Sequence, residues 1–168
     1  MSAIVVLGAG GWGTALAVMS ARFGHRVTLW SPFEKDIAAL RRDGENRRLL
    51  PGVALPPALA LTTGLAPAGE ADAVVMAVPS FAVRQTAARL RGVLPAGGVV
   101  VNVAKGLEEG SLLRMSQVIG QELPGARVVV LSGPSHAEEV SRGVPTAVVA
   151  ASSDPAPARR VQDMLMNP

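Results

Sequence analysis

No stretch restricts this chain more than Ile4-Val5-Val6-Leu7-Gly8-Ala9-Gly10-Gly11-Trp12-Gly13-Thr14-Ala15-Leu16. A β-branched apolar run stops at Gly8, and an amphipathic helical pattern takes over near Gly13. Gly8, Gly10 and Gly13 stand at the G-x-G-x-x-G spacing, after a strand and before a helix. Each glycine has a physical task. Gly8 permits the tight turn, Gly10 lets backbone approach a pyrophosphate, and Gly13 lets helix and strand pack closely. The helix start then presents free N–H groups and the positive end of a dipole to phosphates. A glycine-rich turn that binds nothing would show the same spacing, but the position at the head of a βαβ pattern favours a dinucleotide site.

Apolar strand-like runs alternate with helical patterns along the rest of the chain, which predicts a mostly parallel sheet covered on both faces. Ala3–Leu7, Arg26–Trp30, Leu59–Thr62, Asp72–Val78, Val99–Val103, Arg127–Leu131 and Pro145–Ala150 read as strands. Thr14–Phe23, Phe33–Arg42, Phe81–Arg91, Leu112–Glu122 and Pro155–Met166 read as helices, with Leu16, Met19 and Phe23 on one stripe of the first. Gly24 is its stop, and Gly44 to Pro57 reads as loop. The expected fold is α/β, a doubly wound, Rossmann-like sheet, with residues 1–168 as one dinucleotide-binding domain. Nothing up to Met166-Asn167-Pro168 reads as a second domain, so a substrate domain is expected outside this chain.

Composition narrows the function. Nearly half the residues are hydrophobic (49%) and 17% are charged, which suits a packed core rather than disorder. Cysteine is absent, which removes disulfides and thiol catalysis, and two histidines make no credible zinc site. No apolar run is long enough to span a membrane and Met1–Leu7 lacks a basic leader pattern, so a cytoplasmic protein without membrane partners is expected. The net charge is +3, carried by 14 arginines and two lysines that are scattered and barely interleaved with aromatic residues. Nucleic-acid binding wants a clustered basic stripe or a stacking platform. A small anionic ligand fits better.

In such a sheet ligands bind beyond the carboxyl ends of the strands, so the residues after each strand carry the chemistry. Trp12 either anchors the core or covers the dinucleotide. After the second strand comes Trp30-Ser31-Pro32-Phe33-Glu34-Lys35, with no acid at the strand end to bond a ribose 2′-hydroxyl. That leaves NAD and NADP equally open. Glu34 and Lys35 are expected to face solvent, while Phe33 either covers the adenine or packs under its helix. After Val78, Pro79 turns the chain over the cleft, either as a structural turn alone or, as expected, in contact with the cofactor, and Ser80 is expected to cap the next helix. Lys105, beside Gly106, either holds a phosphate, polarises a carbonyl, or is solvated surface. In Gly133-Pro134-Ser135-His136, Ser135 is expected to form a capping box with Glu138 and so open a second anion site. His136 and His25 are weak candidates for a general base. There is no Walker lysine after Gly11-Trp12-Gly13-Thr14 and no G-x-S-x-G elbow.

The ordered set Gly8-Ala9-Gly10-Gly11-Trp12-Gly13-Thr14-Ala15-Leu16-Ala17, Val27-Thr28-Leu29-Trp30, Leu50-Pro51-Gly52-Val53, Ala77-Val78-Pro79-Ser80, Ala104-Lys105-Gly106-Leu107-Glu108, Leu131-Ser132-Gly133-Pro134-Ser135 and Val144-Pro145-Thr146-Ala147 resembles the bacterial-type NAD(P)-dependent glycerol-3-phosphate dehydrogenases. The resemblance runs along essentially the whole chain. It implies reversible hydride transfer between dihydroxyacetone phosphate and sn-glycerol 3-phosphate, a step toward phospholipid precursors. It also implies a small phosphate-bearing substrate and, for the full-length enzyme, a homodimer as one possible assembly. Cofactor contacts fall on Gly11, Trp12, Lys105 and Ala137, and substrate contacts on Lys105, Gly133 and Ser135. Gly11 replaces a common serine, Pro32 replaces the usual arginine after Leu-Trp-x, and His136 stands where phenylalanine is common. The family's catalytic lysine and phosphate cluster belong to a C-terminal helical domain, so no catalytic residue is assigned here and this chain alone is expected to be inactive. Two alternatives stand beside this: the cofactor half of another two-domain hydroxy-acid or keto-acid dehydrogenase, and a nucleotide-sensing module without catalysis.

Overall fold

In chain order the computed structural model shows β1 (Ala3–Leu7), α1 (Gly11–Arg22), β2 (Arg26–Trp30), α2 (Glu34–Asp43), a hairpin of β3 (Glu45–Asn46) and β4 (Leu50–Ala54), and β5 (Ala60–Thr62). A 3-10 turn at Ala66–Glu70 leads to β6 (Ala73–Met76), α3 (Ser80–Arg89), β7 (Val99–Asn102), α4 (Met115–Glu122), β8 (Arg127–Ser132), α5 (Ala137–Ser141), β9 (Val149–Ala151) and α6 (Pro155–Leu165). Residues 1–166 are described; Asn167 and Pro168 of the Met166-Asn167-Pro168 ending lie outside them.

Seven strands form one sheet in the order β5-β2-β1-β6-β7-β8-β9. Every pairing is parallel except that of β8 with β9. Successive side chains of a strand point to opposite faces, and β1 shows it: Ile4 and Val6 join the core under α1, α2 and α6, whereas Val5 and Leu7 join the core under α3 and α4. Helices therefore cover both faces. The order reverses between β1 and β6, which is where a doubly wound sheet opens its ligand crevice.

Helix α1 departs from the expected amphipathic stripe. Thr14, Ala15, Leu16, Ala17 and Val18 are all buried, because the sheet lies on one side of them and the β3–β4 hairpin and Ala137 lie on the other. Phe23 remains 47% exposed. Two expected caps are absent. Pro79, in extended conformation, is the N-cap of α3 and Ser80 is its first residue, with no side-chain cap bond. His136 is the N-cap of α5, again without a side-chain bond, and the helix is only five residues long. The Ser135 hydroxyl donates instead to the Gly133 carbonyl, at 3.2 Å. The stretch 44–57 carries a hairpin rather than loop alone, and the strand expected over Pro145–Ala150 is the antiparallel β9. The helix expected from Leu112 begins at Met115.

Candidate functional site

The chain turns from β1 into α1 through Gly8, whose φ of +118° belongs to glycine and whose missing Cβ would lie 2.7 Å from the Ala77 carbonyl oxygen. A Cβ on Gly13 would lie 2.0 Å from the Gly8 carbonyl oxygen, so bare glycine is what lets α1 come down onto the strand end. Gly10 is different. A Cβ there would meet nothing within 4 Å, because it points into open space. Gly10 is the N-cap of α1, no side chain caps it, and no acid stands in the first turn. The first N–H groups of a twelve-residue helix are thus left for an anion.

That space is a cleft of about 720 Å³ at the carboxyl ends of β1, β2, β6 and β7. Gly8 to Trp12 form its base; Trp30, Ser31, Pro32 and Phe33 line one side; Ala77, Val78, Pro79 and Phe81 line the other; Val103 and Ala104 close the β7 end. Gly13 is buried beneath it. Phe33 is 56% exposed at the cleft edge, with the Lys35 ammonium 5.7 Å from its ring centre, and Glu34 and Lys35 face solvent as expected. Trp12 is half-buried, lines the cleft and packs on two clusters of the core. Trp30 is buried; its indole N–H donates to the Thr63 carbonyl and the Arg89 guanidinium lies 5.2 Å over its ring.

Other expected residues do not line this cleft. Lys105 is exposed, one residue beyond the lining Ala104. Ala137 sits behind Gly11. Gly133 and Ser135 are half-buried outside the cleft lining, and a Cβ on Gly133 would lie 2.9 Å from the Ala147 carbonyl oxygen. His136 is exposed, and His25 Nδ1 accepts the Ser2 N–H at 3.1 Å, a structural task. Among the described residues no cluster is arranged to hold a metal ion, and no helix is long and apolar enough to cross a membrane.

Several participants were not anticipated. Asp36 and Arg48 line the cleft near Phe33, and the Asp36 carboxylate accepts from the Ser31 hydroxyl at 3.0 Å. Gln85 and Arg89 of α3 line its other wall. Asn46 of the hairpin is buried; its amide donates to the Ala9 carbonyl (3.0 Å) and the Thr14 hydroxyl (2.9 Å), while its oxygen accepts the Leu49 N–H. Beside the packing of Leu50 and Val53 on α1, this side chain ties the hairpin, with Arg48 and Leu49, to the glycine turn. Asn46→Ala strands the buried Thr14 hydroxyl and leaves the half-buried Ala9 carbonyl without this donor, which costs about 1–3 kcal/mol. The urea unfolding midpoint is expected to fall accordingly, and Asn46→Asp, which keeps the acceptor but not the donor, to lose most of the same amount. An unmoved midpoint in both variants would show that the hairpin is held otherwise.

Behind Lys105, Arg84 of α3 grips the Glu108 carboxylate through two hydrogen bonds of 2.6 and 2.7 Å and reaches Glu122 of α4 at 2.6 Å. The hydrogen bonds from Arg84 first, then from Ser111, hold the Glu108 carboxyl down at about 2. In turn the carboxylates of Glu108 first, then Glu122, raise the affinity of the Arg84 guanidinium for its proton.

A cleft at the switch point, floored by an uncapped helix start, is a fold-level feature, and comparison with known proteins narrows it. Residues 3–158 match the family described as NAD-dependent glycerol-3-phosphate dehydrogenase N-terminus. The chain belongs to this family. Glycerol-3-phosphate dehydrogenase [NAD(P)+] of Desulfitobacterium hafniense (strain Y51) is 51% identical over 168 residues, 100% of this chain and 48% of that protein. The enzyme of the same name from Moorella thermoacetica is 54% identical over 98% of this chain and 49% of its own length. Among solved structures, glycerol-3-phosphate dehydrogenase from Coxiella burnetii superposes with a TM-score of 0.92 at 34% identity, over 99% of this chain and 51% of that one. This member of the glycerol-3-phosphate dehydrogenase family thus spans about half the length of these relatives.

Proposed function

We propose that the chain is the dinucleotide-holding part of an oxidoreductase that interconverts sn-glycerol 3-phosphate and dihydroxyacetone phosphate, binding NAD or NADP. The observation that carries this is the start of α1: Gly10 opens onto the cleft, and among the described residues no side chain caps the helix. The backbone N–H groups of Gly11 and Trp12 hold the pyrophosphate, Gly8 and Gly13 bring the turn into place, and Phe33 and Pro79 flank the cleft at its two sides. The cofactor, when bound, supplies or accepts the hydride. Lys105, beyond Ala104, brings its ammonium to the anionic groups of cofactor and substrate, and Gly133, Ser135 and Ala137 complete the contacts that family resemblance implies. The surroundings of an adenosine 2′-substituent combine Asp36, which disfavours a phosphate, with Arg48, which favours one. Production of phospholipid precursors in the cytoplasm is the setting that suits this reaction. A nucleotide sensor would need no second anion-holding group such as Lys105.

Calorimetric titration with NADH and NADPH side by side tests the reading. Saturable binding of at least one of them is expected, and heats no larger than dilution for both would overturn it. No oxidation of NADH by dihydroxyacetone phosphate is expected from the 168 residues alone, because their cleft-facing side chains include no placed general acid for the carbonyl oxygen. Substrate-dependent loss of NADH that disappears in Lys105→Ala would place the acid within this chain.

A further inference from the structure

Residues 104–114 leave β7 and return to α4 as a tongue that carries Lys105 at its root. Two of its leucines are largely exposed, Leu107 at 54% and Leu112 at 72%, so apolar burial contributes little to its shape apart from Leu113. Hydrogen bonds hold it instead. On the β7 side the buried Asn102 amide donates to the Ala104 carbonyl and accepts the Ala104 N–H. Gly106, at φ +106°, then passes the start of α3, where its missing Cβ would lie 3.7 Å from Ser80 Oγ. On the far side the Glu108 N–H donates to the Leu113 carbonyl and the Leu112 N–H to the Glu108 carbonyl. Leu112 takes a left-handed φ of +57°, which among the described residues only glycines otherwise adopt. A leucine held there relaxes once its surroundings let it.

Besides these backbone bonds, one carboxylate ties the far side to the helices. Both oxygens of Glu108 are taken by Arg84, and Oε2 also accepts the Ser111 hydroxyl at 2.6 Å. Arg84 also donates to Glu122 Oε1 and Gln121 Oε1, so the tongue is bolted to α3 and α4 at once. A forked guanidinium suits this task, since its planar donors define an orientation as well as a charge.

We propose that Arg84 is a positioning residue for Lys105, acting through the Glu108 carboxylate it holds. Lys105 lies between two anchors, Ala104 fixed by Asn102 and Glu108 fixed by Arg84. Releasing the second lets the lysine backbone swing about the first. The Lys105 ammonium, one residue beyond the lining Ala104, then spreads over a larger volume, and displacements of about 1 Å are enough to cost large factors where groups must be aligned. This inference rests on the reading that Lys105 meets the bound anionic ligands.

The chain has two lysines, so reductive methylation with carbon-13 formaldehyde yields two dimethyl-lysine NMR signals beside that of the amino terminus. Lys35→Arg assigns them. Lys35, beside Phe33 at the cleft, reports that NADH has bound. In the native chain NADH or glycerol 3-phosphate is expected to shift the Lys105 signal. In Arg84→Met and in Glu108→Ala, each shown folded by circular dichroism, the Lys105 signal is expected to sharpen and its ligand-induced shift to fall by at least half. The Lys35 shift stays, and the NADH dissociation constant changes by less than about threefold. If Arg84→Met does not fold, Glu108→Ala carries the test. A Lys105 signal with native width and native response in a folded variant overturns the positioning role. A native Lys105 signal that responds to neither ligand overturns the underlying reading of Lys105, whatever the variants do.

Discussion

Gly10→Val is expected to lower the affinity for NADH by more than about a hundredfold while the protein stays folded. The backbone permits the change: Gly10 has φ −72° and ψ 175°, extended values that a β-branched residue adopts without strain. Space permits it too, since a Cβ at this position touches nothing within 4 Å. The cost to folding is that of a poor N-cap, about 1 kcal/mol, or a few degrees of melting temperature. The effect on binding is much larger. The valine methyls fill the space through which a phosphate must approach the N–H groups of α1, whose hydrogen bonds need about 3 Å between heavy atoms. Charge-assisted bonds are worth about 1.5–3 kcal/mol each, and losing two exceeds the roughly 2.7 kcal/mol that a hundredfold change represents. Calorimetric titration with NADH measures the first effect and a thermal melt the second. Native affinity in a folded Gly10→Val chain would take the glycine turn out of the binding site.

What could be read in advance follows from how far apart the interacting residues lie in sequence. Strands β1 and β2 begin and end where their apolar runs do, because a glycine or a turn bounds each of them. The glycine turn was legible since strand, turn and helix start are contiguous. Helix α1 starts three residues before the expected Thr14, because burial on both sides overrides the poor helix propensity of Gly11 and Gly13. The β3–β4 hairpin was hidden in a stretch of arginine, glycine and proline; its strands are short and depend on Asn46 reaching 37 residues back to Ala9. Ser80 and Ser135 look like caps by composition, yet the preceding proline and the following histidine take those positions. The clamp of Arg84 on Glu108 spans 24 residues and three elements, and no local pattern announces it. Arg48 and Arg89 reach the cleft because the fold, not the sequence order, makes them neighbours, whereas Asp36 is local to it, five residues from Ser31.

Gly13→Ala is expected to do the reverse of Gly10→Val and destabilise the fold rather than act on the site alone. Its Cβ would stand 2.0 Å from the Gly8 carbonyl oxygen and 3.2 Å from the Ala77 Cβ. Carbon and oxygen normally approach to no less than about 3.3 Å, so the helix start must retreat by more than 1 Å. Neither neighbour can yield cheaply. Gly8 is held by its N–H to the Trp30 carbonyl, and Ala77 by its N–H to the Leu7 carbonyl, both at 2.9 Å. Retreat of α1 also pulls on the layer it fills, since Thr14 through Val18 are buried and Thr14 is tied to Asn46. Overpacking of an ordinary core contact costs about 1–3 kcal/mol, and a clash between two backbones belongs at or beyond the upper end. For a domain of this size about 3 kcal/mol lowers the melting temperature by roughly 6–12 °C. Because alanine is the better helix former, a surface site would have gained stability from the same change. A melt of Gly13→Ala at or above the native temperature would mean that α1 does not rest on the strand end as described, and the pyrophosphate site would lose its floor.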